Sequence, residues 1–258
     1  MADHKKTTYI YGKQAVSEAL RSALTSVQKV FLTHQFADPA LVKLIASAGV
    51  PSVRVEADQL PGRLDGVNHQ GVVVAISSQD LLQPYRQFIA ELKISPATLL
   101  ILLDELADPQ NVGAIIRSAA AFGAAGVLIP EHREAPVTGA VIKVSAGMAF
   151  QIPLITIGNI NQTIRDLKER DFWIYGLEGG APNTLEEQQF DTPTVVVVGN
   201  EGQGIRLKTK ESCDVLVSIP INPQCESLNV AASAAVALYA WSRWHPPGRG
   251  RKTPKARG

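Results

Sequence analysis

Short apolar runs alternate with amphipathic segments along the first third of the chain. Ala15, Val16, Ala19 and Leu20 recur with helical spacing and predict a helix with one apolar face. The segment PALVKLIASAG predicts a second helix that stops at its glycine. The runs VQKVFLT, PSVRVEA and VVVAIS are rich in β-branched residues and have the length of strands. This pattern predicts a small α/β domain within residues 1–78.

From Leu99 onward the strand-like runs become more apolar, and helical or glycine-rich segments separate them. In order they are TLLILLDE, GVLIP, FWIYGLE, TVVVVGN and DVLVSIP. Continuously apolar strands are typical of a parallel sheet covered by helices on both faces. We therefore expect an α/β domain over 97–244, with ligands beyond the carboxyl ends of its strands. The more polar segment 79–96 carries Pro84 and Pro96 and is expected to be a linker with one short helix.

Overall charge indicates little about partners. The chain has 258 residues, 45% of them hydrophobic, and a formal net charge of +1, so its total charge does not favour a nucleic-acid partner. The last residues, 245–258, contain Lys and Arg but no Asp or Glu, together with Pro and Gly. This composition predicts a disordered basic tail, which could be a solvated terminus or an arm that seeks phosphate groups.

Cysteine usage and the N-terminus favour a reducing, cytoplasmic location. Cys213 and Cys225 are the two cysteines, and they lack the CxxC spacing of a zinc or redox site. The first residues have no apolar core of signal-peptide length, and no apolar run is long enough to span a membrane. We expect neither a metal site nor a membrane segment.

The first segment with candidate chemistry follows the strand LLILLDE. The turn 108–111 can cap a helix that we expect from Val112 to about Phe122. Helical geometry places Arg117 away from the apolar stripe of this helix and above Gly113, where a ligand could approach. An exposed arginine with a surface ion pair explains the same pattern.

The second segment, GNEGQGI, follows the apolar strand 195–198. Its three glycines permit left-handed backbone and close approach to a ligand, and Glu201 lies exposed between them. A dinucleotide-binding loop would read G-x-G-x-x-G at an early strand-to-helix turn. A Walker loop would need a following GK[ST]. Neither pattern fits.

The third segment runs from the strand DVLVSIP through INPQCES into LNVAASAAVALYAW. This final helix is apolar nearly all round, so we expect other backbone, from its own chain or from a partner subunit, to enclose it. Ser227 and Asn229 lie where the loop enters the helix. Helix capping alone would account for one of them.

Together the three segments resemble motifs 1, 2 and 3 of the SPOUT superfamily, in its TrmH-type branch of RNA 2′-O-ribose methyltransferases. The matching residues are Asn111, Gly113, Arg117, Gly199, Glu201, Gly202, Gly204, Ser227, Leu228, Asn229 and Val230. One position departs from the usual S-L-N-V-S, because Ala231 follows Val230 and a hydroxyl contact is lost. Lys143, Ser145 and Gly147 resemble a further family loop, with a lesser role in binding or packing.

The N-terminal part resembles the accessory L30e-like RNA-binding domain of the ribosomal-RNA members. The similarity lies in G-x-x-A-V-x-E-A-L at 12–20 and H-Q-G at 69–71. The resemblance implies a deep trefoil knot in the C-terminal domain and a homodimer formed through the knot region. It also implies S-adenosylmethionine as methyl donor and a ribose 2′-hydroxyl, expected on guanosine in 23S rRNA, as acceptor.

The resemblance also assigns roles to individual residues. The cofactor is expected to contact Gly199, Asn200, Gly202, Ile219 and Leu228. The catalytic set is expected to be Arg117, Glu201, Asn111, Ser227 and Asn229. Guanidinium groups stay protonated in proteins, so we expect Arg117 to act as an electrostatic clamp while Glu201 or an RNA phosphate takes the hydroxyl proton.

Other functions remain open at this point. Some TrmH-type proteins methylate transfer RNA, and these often lack a full N-terminal domain, so region 9–78 favours ribosomal RNA. Methyltransferases that confer resistance to peptide antibiotics share the architecture. A non-catalytic RNA-binding or assembly protein is the alternative from another class, which the complete motifs disfavour.

Overall fold

A computed structural model describes residues 7–62, 68–77, 79–132 and 134–246. The chain forms a four-stranded sheet followed by an eight-stranded sheet. Most of the predicted basic tail, from residue 247 onward, lies outside the described residues.

The first sheet has the order β1-β4-β2-β3. Its elements are β1 (Thr7–Tyr11), α1 (Lys13–Ser22), β2 (Val27–Thr33), α2 (Pro39–Ser47), β3 (Ser52–Val55) and β4 (Val72–Ser77), with short 3₁₀ turns at Leu24–Ser26 and Ala57–Gln59. Strand β1 was not anticipated, because its five residues directly precede the predicted helix. It pairs antiparallel with β4, whose residues are all buried.

The second sheet has the order β10-β12-β9-β11-β6-β7-β8-β5, and all its strand pairs are parallel. Its strands are β5 (Leu82–Pro84), β6 (Leu99–Asp104), β7 (Gly126–Pro130), β8 (Leu154–Ile157), β9 (Trp173–Leu177), β10 (Asn183–Thr184), β11 (Thr194–Gly199) and β12 (Val215–Ser218). Its helices are α3 (Tyr85–Glu91), α4 (Pro109–Ala121), α5 (Gly139–Val144), α6 (Ile160–Lys168), α7 (Leu207–Lys210) and α8 (Val230–Trp244), with 3₁₀ turns at Gln79–Leu81, Met148–Phe150 and Leu185–Glu187. The predicted parallel α/β sheet is confirmed. The segment 79–96 contains the expected short helix and also adds edge strand β5 to this sheet.

Apolar side chains cover both faces of the central strands β6 and β11, which are buried throughout. Ile101 and Val196 belong to a core that continues into the first domain, whereas Leu100 and Val195 pack with α6 on the opposite face. Alternation along the strands therefore divides the core into two layers and holds the strand ends in fixed positions.

The start of α4 corrects the sequence expectation. The helix begins at Pro109 instead of Val112, because Asp108 is its N-cap and accepts from the Gln110 N–H at 2.8 Å. Proline at the first helical position suits its fixed φ. Asn111 therefore lies inside the first turn of the helix.

The all-round burial expected for α8 is not found within the single chain. Ala234, Ala237 and Leu238 are fully buried, but Val236 and Tyr239 are 39% and 58% exposed. The buried face of α8 packs on α4, on β11 and on the Leu185–Glu187 turn. Its opposite face keeps an apolar surface.

The segment with Lys143, Ser145 and Gly147 lies at the contact between the two domains. Lys143 Nζ is 5.0 Å from the centre of the Tyr11 ring, and Ser145 is buried and donates to the Ile142 carbonyl. A Cβ on Gly147, where φ is +82°, would lie 2.9 Å from Cγ of Glu18. These contacts join α5 and the turn after it to the first domain.

Candidate functional site

A cleft of about 630 Å³ opens at the carboxyl ends of β9, β11 and β12. Residues from three segments line it, within 177–180, 198–204 and 217–233. Ligands of open parallel sheets bind at this end of the strands, and small-molecule sites commonly measure roughly 300–1,000 Å³. The position and size of the cleft suit a small organic cofactor.

The loop after β11 closes on itself. Asn200 and Gly204 exchange two backbone hydrogen bonds of 2.9 Å, and the Asn200 side chain accepts from the Gly202 N–H at 2.9 Å and donates to the Glu105 carbonyl at 2.8 Å. A Cβ on Gly199 would lie 2.3 Å from the Gly204 carbonyl carbon. Only glycine fits at position 199, and the closed loop presents Glu201 at its tip.

A chain of hydrogen bonds joins this loop to two helices. Asn111 Nδ2 donates to Glu201 Oε1 at 2.7 Å, and Asn229 Nδ2 donates to Asn111 Oδ1 at 2.9 Å. Asn229 also caps α8, because its Oδ1 accepts from the N–H groups of Ala231 and Ala232 at 2.9 and 3.2 Å. The three predicted motifs therefore meet through these side chains.

The cap determines which way each amide in this chain points. Only the amide oxygen of Asn229 can accept from the helix N–H groups, so its NH₂ faces Asn111. The oxygen of Asn111 must then face Asn229, and its NH₂ faces Glu201. The N-terminus of α8 thus orients Asn111, through Asn229, so that the Asn111 NH₂ points at Glu201. This hydrogen bond holds the Glu201 carboxylate in place as an acceptor.

Arg117 stands apart from this group. It is exposed on α4, six residues beyond Asn111, which corresponds to a rise of about 9 Å along the helix axis. Its position off the packing face of α4 is the one expected from the sequence. Ser227 is exposed in the loop before α8 and lines the cleft.

The residues expected to bind the cofactor all lie along the cleft. They are Gly199, Asn200, Gly202, Ile219 and Leu228. Apolar side chains of Leu177, Ile219 and Leu228 can cover a flat aromatic base, while the glycine-rich loops offer backbone groups. This set of donors and surfaces fits an adenosine-containing cofactor.

Comparison with known proteins agrees with this geometry. Residues 98–239 match the SpoU rRNA Methylase family, and residues 9–81 match the domain described as RNA 2′-O ribose methyltransferase substrate binding. This chain belongs to the SpoU rRNA methylase family.

Three similar proteins extend the comparison. The 23S rRNA (guanosine-2'-O-)-methyltransferase RlmB of Nitrosomonas europaea is 34% identical over 247 residues, which is 92% of each chain. A protein of Mycobacterium avium named uncharacterized tRNA/rRNA methyltransferase is 34% identical over 242 residues, 93% of this chain and 78% of the relative. The SpoU methyltransferase AviRb from Streptomyces viridochromogenes, solved in complex with the cofactor AdoMet, superposes with a TM-score of 0.81 at 23% identity, covering 93% of this chain and 91% of that one. At this identity the last likeness concerns the fold.

Glu178 of this SpoU methylase was not among the residues predicted from the sequence. Glu178 lines the cleft directly after β9, and its carboxylate pairs with Lys210 Nζ at 2.5 Å. The signal was present, since FWIYGLE ends in an acidic residue at the carboxyl end of a predicted strand.

Asp104 and Glu134 were also missed. Asp104, fully buried at the end of β6, accepts from the Arg206 backbone N–H at 3.0 Å and from Arg206 Nε at 2.7 Å. Glu134 Oε1 accepts from the Leu106 N–H at 2.9 Å, while Oε2 is buried without a partner among the described residues. Burial raises the pKa of Glu134 to about 8, and the nearby charges of Asp104 and Glu201 add to the increase.

Among the described residues, none of the helices combines the length and apolar character of a membrane span. The same residues contain no cluster of His, Cys, Asp or Glu that could hold a metal ion.

Proposed function

We propose that this protein transfers the methyl group of S-adenosylmethionine to a ribose 2′-hydroxyl in 23S rRNA, with guanosine as the expected nucleotide. The observation that carries the proposal is the chain Glu201–Asn111–Asn229, which places a fixed carboxylate beside the cofactor cleft. The name of the Nitrosomonas europaea relative supports the substrate.

The chemistry requires in-line alignment of the hydroxyl and removal of its proton. S-adenosylmethionine, when bound, supplies a methyl group activated by its sulfonium sulfur. Glu201 takes the hydroxyl proton, and the amide of Asn111 keeps that carboxylate oriented toward the acceptor. Ser227 and Asn229 position the ribose and the methionine part at the entrance to α8.

Arg117 is assigned to the RNA. A permanently charged guanidinium binds phosphate oxygens well and serves poorly as a base. The exposure of Arg117 outside the cleft suits contact with the nucleotide's phosphate or with the charge that develops on its 2′-oxygen.

The first domain, within residues 1–78, is proposed to hold the ribosomal RNA. Its match to a substrate-binding domain supports this role. The shared 92% coverage with the RlmB relative favours ribosomal over transfer RNA. We place the methyltransferase domain at 97–244 and give the first domain an L30e-like fold, on the strength of its α/β order.

A homodimer and a trefoil knot complete the proposal. The exposed apolar face of α8, with Val236 and Tyr239, would be covered by a second copy. The knot is proposed from the resemblance of the three motifs to the TrmH-type branch of the SPOUT superfamily. The cytoplasm, where ribosomal RNA is modified, is the proposed location.

The decisive experiment maps 2′-O-methylation across ribosomal and transfer RNA in a deletion strain, with and without a plasmid copy of the gene. Loss of one methylated guanosine in 23S rRNA, restored by the wild-type gene but not by Glu201→Gln, is expected. Loss of methylation only in transfer RNA would refute 23S rRNA as the substrate. Calorimetry that detects no binding of S-adenosylmethionine would favour a non-catalytic RNA-binding protein.

A further inference from the structure

Glu178 lies in the cofactor cleft but has no part in the proposed methyl-transfer step. It follows the last residue of β9, and its backbone N–H donates to the Val217 carbonyl at 3.0 Å. This bond ties the start of its loop to the neighbouring strand β12. The carboxylate therefore projects from a fixed backbone position at the carboxyl edge of the sheet.

The two carboxylate oxygens of Glu178 have different surroundings. Oε1 accepts from Lys210 on α7, whereas Oε2 lies beside Gly204, 3.2 Å from where a Cβ on that residue would stand. The side chain is 26% exposed, so its remaining acceptor positions open to the cleft that it lines. An ionised carboxylate has about four acceptor positions, and one lysine leaves most of them free.

The surroundings of Glu178 leave space for a sugar. A Cβ added at Gly179 or Gly180 would have no atom of the described residues within 4 Å. The apolar groups that could cover a base, Ile219 and Leu228, come from a different loop of the same cleft. If the adenine base of an adenosine packed against Ile219 and Leu228, its ribose could contact the loop that carries Glu178.

From this arrangement we infer that Glu178, held by Lys210, binds the ribose hydroxyls of the cofactor's adenosine and selects for an intact 2′,3′-diol. Carboxylates at strand ends recognise ribose hydroxyls in dinucleotide-binding folds by the same hydrogen-bond chemistry. This inference rests on the proposed use of S-adenosylmethionine. In this inference Glu178 affects the affinity for the cofactor and has no role in the methyl-transfer step.

The test measures binding by calorimetry with 5′-methylthioadenosine, which keeps the adenosine and lacks the amino-acid part. Glu178→Gln should weaken its binding about tenfold or more, as expected for a hydrogen bond to a charged group. Glu186→Gln, which alters an exposed glutamate outside the cleft lining, should leave binding unchanged. Lys210→Met should weaken binding less than Glu178→Gln, because the carboxylate remains but is less well held.

The same titration with 2′-deoxy and 3′-deoxy forms of the ligand identifies the recognised group. Wild-type protein should bind the deoxy forms at least tenfold more weakly, and Glu178→Gln should lose most of that discrimination. Equal binding of the parent and deoxy ligands by wild-type protein overturns the inference even if the variant does not fold. An effect of Glu178→Gln seen with S-adenosylhomocysteine but not with 5′-methylthioadenosine would assign Glu178 to the amino-acid ammonium and also overturns it. Failure of wild-type protein to bind any of these ligands would instead count against the proposed function.

Discussion

Asn111 donates a 2.7 Å hydrogen bond to Glu201, although the two residues are 90 positions apart. The bond joins the first turn of α4 to the tip of the loop after β11. Asn229 completes it from the start of α8. Removing the middle member should therefore disturb catalysis while the cofactor cleft, which Asn111 does not line, stays intact.

Asn111→Ala should lower the rate of methyl transfer roughly 10–100-fold, because Glu201 loses a hydrogen bond to its charged group. Its affinity for S-adenosylmethionine should match wild type. Turnover of tritiated methyl groups onto ribosomal RNA and calorimetry give the two quantities. Gln162→Ala, on the exposed side of α6, is the control, and equal losses of rate and affinity in Asn111→Ala would contradict the assignment.

Glu201→Gln separates the two candidate proton acceptors. Glutamine keeps an oxygen for Asn111 but cannot take up the hydroxyl proton, so turnover should fall at least 100-fold. Cofactor binding, measured in parallel, should change little. Turnover near the wild-type level would exclude Glu201 as the acceptor and favour an RNA phosphate.

Arg117→Ala should fold and bind S-adenosylmethionine normally, since Arg117 is exposed and lies outside the cleft. It should lose methyl transfer because the RNA phosphate or the developing charge is no longer held. Arg165→Ala is the matched control, because it removes another exposed arginine, on helix α6 at the opposite face of the sheet. The proposed role fails if Arg117→Ala retains activity in the tritiated-methyl assay.

Gly199→Ala should abolish cofactor binding and lower thermal stability, because the new methyl group would lie 2.3 Å from backbone of the same loop. Gly158→Ala is the matched comparison, because its Cβ would have no neighbour within 4 Å in the part of the chain that the structure describes. Thermal unfolding and calorimetry on both variants provide the measurement. Similar behaviour of the two variants would show that the loop adjusts without cost.

Glu134 should make stability depend on pH. Its pKa rises from 4.5 in the unfolded chain to about 8 in the fold, chiefly by burial. Between about pH 4.5 and pH 8 the unfolded chain releases this proton first, so the free energy of unfolding falls as pH rises and levels off above pH 8. Glu134→Gln removes this contribution, and urea unfolding from pH 5 to pH 9 should show wild type losing stability relative to the variant. Parallel curves would contradict the raised pKa.

Local patterns were sufficient for much of the fold and for the composition of the site. The apolar run 195–198 predicted a strand covered on both faces, and β11 is indeed buried throughout. The glycines that follow it predicted a tight loop. Strands β5 and β10 were not predicted, because segments of three and two residues are too short to show an alternation of apolar and polar positions. The start of α4 was misplaced because Pro109 and Gln110 suit a turn as well as a first helical turn.

The sequence by itself determined which residues could act: a carboxylate between glycines, amides at two helix starts, and an arginine off the packing face. The tertiary structure alone decided which of them meet. It brought Asn111, Glu201 and Asn229 into one hydrogen-bonded chain, left Arg117 on the surface, and added Glu178 and Glu134. The physical reason is that strand order and core packing bring distant loops together at one edge of the sheet, and hydrogen-bond geometry there depends on backbone positions that no local pattern encodes.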